Sequence, residues 1–88
     1  MRSPILGHME SESPKKPDVT PAQLRLARAL MGVSARELAE KAGVSWSTVQ
    51  RWELGKHPML NNARAIVAVI EGAGVEFIEG GARLRAKP

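Results

Sequence analysis

Helix starts and glycine stops alternate so closely over Ser34 to Gly55 (SARELAEKAGVSWSTVQRWELG) that this stretch must fold as two short helices. Ser34 and Glu37 stand at the spacing of a capping box, in which the serine hydroxyl and the acidic side chain satisfy each other's backbone N–H groups. Gly43 supplies the left-handed residue that a sharp turn needs. Ser45 then caps a second helix running to about Leu54, and Gly55 ends it. Leu38 and Ala39 face inward on the first of these helices, and Val44 plugs the turn. Val49 and Trp52, three apart, point into the core from the second. Trp46, Ser47, Gln50 and Arg51 fall on its opposite side.

The same logic places two further helices. Thr20 is a predicted N-cap, Pro21 suits a first helical position, and Gln23 completes another capping box. Leu24, Ala27, Arg28 and Met31 share one face of this helix, and Gly32 stops it. After a loop at 56–60, Asn61 or Asn62 is the expected cap of a helix reaching about Gly72. Ala63, Ile66, Val67, Ile70 and Ala73 form its apolar stripe. The period then changes. Val75 to Ile78 and Ala82 to Arg85 read as short strands around Glu79-Gly80-Gly81, a hairpin signal. The expected fold is mainly α: a compact four- to five-helix bundle with a short C-terminal β-hairpin or β-strand. Residues 1–19, rich in Ser, Pro, Lys and Glu and without periodicity, read as a disordered tail. Gly7-His8-Met9 resembles the junction of a vector-encoded leader covering 1–8. The division is thus 1–19 tail, 20–74 helical domain, 75–88 strand segment.

At 88 residues the chain holds one small domain, marginal in stability alone and helped by dimerisation. It has no cysteine and hence no disulfide or thiolate site, which fits a reducing, cytoplasmic setting. No apolar run approaches the ~20 residues of a membrane span. The net charge is +4, and all of the excess lies after residue 20. A basic helical domain suits an anionic partner such as nucleic acid. No Ser/His/Asp set, metal cluster or phosphate-cradling glycine loop is present. His57, the single histidine beyond the leader, reads as a loop residue. Neither enzyme activity, metal nor cofactor is expected.

Two helices, a glycine turn and a polar outer face make a helix-turn-helix, whose second helix enters the DNA major groove. Residues from about Pro21 to Ala73 resemble the lambda-repressor/Cro family of DNA-binding domains, the XRE family. The matching residues are Leu24, Arg25 and Arg28, Gly32, Ser34, Glu37-Leu38-Ala39, Ala42-Gly43-Val44-Ser45, Thr48-Val49 and Arg51-Trp52-Glu53-Leu54-Gly55. The resemblance implies a repressor-like regulator with base contacts from Trp46, Ser47, Gln50 and Arg51. Arg can bond guanine O6/N7 in bidentate fashion and Gln can bond adenine N6/N7. Phosphate contacts are expected from Ser34, Ala35, Arg36, Thr48, Lys56, Asn61, Asn62 and Arg64, at or near helix N-termini, where unpaired N–H groups and nearby cations favour anions. The resemblance also implies a structural ion pair between Arg28 and Glu53, because an arginine on an apolar face needs a partner. One position departs from the pattern: relatives often carry Gln where Ala35 stands, so that contact to DNA and to the next helix is lost.

Family dimers read two half-sites. The strands at 75–88 are the expected dimer surface, with Val75, Phe77, Leu84 and Ala86 on one face. An intramolecular hairpin against the fourth helix is the alternative. The competing function is an antitoxin or adaptor whose main partner is another protein such as a toxin. A third is a helix-turn-helix fold with no role at DNA.

Overall fold

The computed structural model describes residues 18–86. Four helices run in order, α1 (Pro21–Met31), α2 (Ala35–Ala42), α3 (Trp46–Glu53) and α4 (Leu60–Gly72). They are followed by β1 (Val75–Ile78) and β2 (Gly81–Leu84). The leader and most of the tail lie outside the described residues.

Local chemistry sets most boundaries. Thr20 and Gln23 close a full capping box around Pro21, with Thr20 N–H donating to Gln23 Oε1 at 2.9 Å. Ser34 and Glu37 do the same for α2. Gly32 and Gly43 stop these helices at φ +72° and +70°, a region that L side chains rarely adopt. Ser45 Oγ accepts from Thr48 N–H at the start of α3. That helix ends at Glu53, with Leu54 as its C-cap rather than its last turn.

The start of α4 differs from the sequence expectation. Met59 occupies the N-cap position and no side chain caps the helix, so Asn61 and Asn62 fall inside the first turn. The apolar stripe explains the shift. Leu60 is half-buried one helical step before Ala63, and the Met59 carbonyl accepts from Ala63 N–H at 2.9 Å. At the other end, Ala73 is the C-cap and exposed, so it leaves the stripe.

The core joins Leu24 and Ala27 of α1, Leu38 and Ala39 of α2, Val49 and Trp52 of α3, and Ala63, Ile66 and Ile70 of α4 with Val75. Each large side chain contributes about 1.5–3 kcal/mol by leaving water. Val19, which composition leaves in the tail, is also buried, and its carbonyl accepts from Trp52 Nε1 at 3.2 Å.

β1 and β2 pair antiparallel, Val75 opposite Leu84 and Ile78 opposite Gly81. Gly81 opens the second strand instead of ending the turn, leaving Glu79-Gly80 as a two-residue connection with Gly80 at φ +74°. One face of the hairpin therefore carries Val75, Phe77, Ala82 and Leu84, of which Leu84 stays exposed, and Ala86 lies beyond the strand. The hairpin rests chiefly on α1, with β1 also touching α4. Gln23 fixes it there by donating from Nε2 to the carbonyls of Ile78 (2.8 Å) and Gly81 (3.1 Å).

Candidate nucleic-acid interface

The turn Gly43-Val44-Ser45 sets α2 and α3 against each other, and burial divides α3 into two faces. Val49 and Trp52 are fully covered, whereas Trp46, Ser47, Gln50 and Arg51 are all exposed. The four polar-face positions therefore share one outer surface. Thr48 is half-buried at its edge. Its hydroxyl lies 2.8 Å from Ser45 Oγ, which also lies 3.1 Å from Ser47 Oγ. The hydroxyls at the start of α3 thus form a small cluster around the cap.

An open cleft lies between α3 and the start of α4. Thr48 and Arg51 line it from α3, Lys56, His57, Pro58 and Met59 from the loop, and Asn62 from α4. Two cations and an uncapped helix start, a combination that favours anions, thus border one depression. Asn61 stands outside the lining, and its Oδ1 accepts from Asn62 N–H at 3.0 Å. Arg64 is exposed on α4 away from the cleft lining. At the start of α2, Ser34 and Arg36 are exposed and Ala35 is half-buried. Arg36 lies against the Trp46 ring, with its guanidinium carbon 4.3 Å from the ring centroid.

Behind this surface, α3 is anchored to α1. Arg28 donates from Nε to Glu53 Oε2 at 2.8 Å and from Nη2 to Oε1 at 3.1 Å. The side chains are 26% and 12% exposed, so the pair is largely shielded. The hydrogen bond to Glu53 raises the Arg28 pKa above its ordinary value, opposed by burial and assisted by the charge of Glu53. Arg25 adds a bond from Nη1 to the Glu53 carbonyl at 2.6 Å, placing a second cation at the negative end of α3.

Several contributors carry no local sequence signal. Gln23 is legible as a cap but not as the hairpin's anchor. His57 packs on Trp52, ring centroids 4.9 Å apart and tilted by 51°, which seats the loop that carries Lys56. Leu54 and Met59 are both strongly exposed beside the cationic surface, at the end of α3 and the start of α4.

A helix-turn-helix family model matches residues 24–73, more than half of the chain. This chain belongs to the XRE, lambda-repressor-like helix-turn-helix family. No curated protein matches it. The helix-turn-helix domain is thus a member of a family of DNA-binding regulators. Among the described residues, no helix of the domain is long and apolar enough to cross a membrane.

Proposed function

We propose that this helix-turn-helix domain is a sequence-specific transcriptional regulator, most simply a repressor, that inserts α3 into the major groove. The observation that carries the reading is the division of α3. Its inner face is fully packed, which fixes the helix rigidly, and its outer face presents Ser47, Gln50 and Arg51 to solvent. Arg51 and Gln50 offer bidentate donors and acceptors suited to guanine and adenine edges. Thr48, Lys56, Asn62 and the start of α4 hold one phosphate strand. Ser34, Ala35 and Arg36 at the start of α2 hold the other, with Asn61 and Arg64 as outlying contacts. The protein acts in the cytoplasm and uses no cofactor.

The reading unit is 20–74, and 75–88 joins two copies so that paired half-sites are read together. Arg85 N–H donates to the Gly74 carbonyl. By the alternation of an antiparallel ladder, Ala82 and Leu84 then turn their N–H and C=O groups toward the outer edge of β2. Leu84 is 59% exposed there. A second copy adding its own β2 satisfies that edge and covers Leu84.

The test is an NMR titration of labelled protein with a short generic duplex at low and high salt, since non-specific binding needs no operator. Salt-reversible shifts at 34–36, 46–51, 56 and 61–64 are expected. Shifts confined to 75–86, or none, would defeat the reading. The same exposed β2 edge supports a second reading, an antitoxin or adaptor whose strand joins a partner's sheet. Co-purification of a second chain together with a silent titration would favour it.

A further inference from the structure

Arg36 and Trp46 stand at the two helix starts of the helix-turn-helix unit, Arg36 as the second residue of α2 and Trp46 as the first of α3. Their stacking, at 4.3 Å from guanidinium carbon to ring centroid, is a cation–π contact between the two helices. The indole is 41% exposed, a large apolar ring kept in water on the surface assigned above to DNA. Core packing does not account for it, because Val49 and Trp52 bury α3 from the other side.

The geometry decides what such a pair can do. The ring attracts the cation without taking up any of its five N–H donors. Among the described residues Arg36 makes no ion pair or side-chain hydrogen bond, and it is exposed, so those donors are open to solvent. A planar fork of this kind matches a phosphate. In helix-turn-helix docking the first helix crosses the backbone while the second enters the groove, and Arg36 sits at that seam. Ala35 beside it is too short to reach across.

We infer that Trp46 is a positioning residue rather than a base reader. Its ring holds Arg36 in place by the cation–π contact, and Arg36 grips a backbone phosphate at the junction of α2 and α3. The inference rests on the DNA-binding reading and deepens it.

Fluorescence anisotropy over a salt series, with A/T-rich and G/C-rich duplexes, tests the inference. Arg36→Gln is expected to weaken binding roughly three- to tenfold on both duplexes and to reduce the salt slope by about 0.9. Trp46→Ala is expected to weaken both by about two- to fivefold, and Trp46→Phe to restore most of that loss by keeping a ring face. In the Arg36→Gln background, Trp46→Ala should change nothing further. Thermal midpoints should stay with the wild type, separating positioning from folding. The inference is overturned if Trp46→Ala acts equally with and without Arg36, if it changes the ranking of the duplexes, or if Arg36→Gln leaves the slope intact. Any of these with a DNA-binding wild type breaks the clamp alone. A wild type that binds neither duplex at low salt breaks the clamp and the DNA reading together.

Discussion

The two faces of α3 are built by opposite rules. The inner face excludes water completely at Val49 and Trp52, and the Arg28–Glu53 pair and Arg25 lock its end to α1. The outer face presents Ser47, Gln50 and Arg51, which pack against nothing in the core. One helix turn thus separates residues that hold the fold from residues left open to solvent, which the proposed function assigns to recognition. Rigidity on one side is what lets short side chains on the other be aimed.

The sharpest way to break this comparison is Trp52→Ala. Removing the largest buried side chain, together with its bond to Val19, should cost about 3–5 kcal/mol in chemical denaturation. A cost below 1 kcal/mol would mean that the inner face does not hold the helix. Next comes Arg28→Met. Exposed pairs contribute roughly 0–1 kcal/mol and buried pairs lose 3–5 when broken, so this shielded pair should lose about 2 kcal/mol. The outer face must behave in the contrary way. Arg51→Gln should leave the denaturation midpoint within about 0.5 kcal/mol of wild type. It should remove about 1–3 kcal/mol of discrimination at a single guanine in a competition assay. An Arg51 variant that melts early would erase the division between the faces.

Smaller effects sharpen the picture at the start of α2. Ser34 lies on the outside, yet its hydroxyl caps the helix, so Ser34→Ala should cost about 1 kcal/mol of stability. Glu37 completes that box. The Ser34 backbone N–H, and then its hydroxyl, hold the Glu37 carboxyl below its ordinary pKa of 4.5. A group with a depressed folded pKa stabilises above its unfolded value, and this contribution is lost as pH falls through the folded one. Thermal melts from pH 6 down to pH 3 should therefore show a steeper acid decline in wild type than in Glu37→Gln. Parallel curves would show that the carboxylate does not cap in solution.

The residues most legible in the sequence were those whose partners sit within four positions. Thr20 with Gln23, Ser34 with Glu37, and the glycines at 32 and 43 announce themselves because helix ends are closed by neighbours. The family pattern added the long-range Arg28–Glu53 pair, which geometry then supplied in bidentate form. What stayed hidden depends on side chains meeting across elements or on the absence of a signal. The α4 start carries no capping side chain, so asparagines one and two residues inside it drew the expectation forward. Gly81 looked like turn punctuation, but it is buried and its carbonyl is held by Gln23. The stacking of Arg36 on Trp46 joins two helices whose spacing alone does not say which way either side chain turns.

Gln23 carries a consequence for how the domain breathes. Its oxygen holds the Thr20 N–H, its nitrogen holds two hairpin carbonyls, and Val19, one residue before Thr20, seats Trp52 of α3. The hairpin and α3 are thereby geared to each other through Gln23, Thr20 and Val19. An opening that peels the hairpin away also unties the first turn of α1, so both should lose deuterium protection in one event rather than in two.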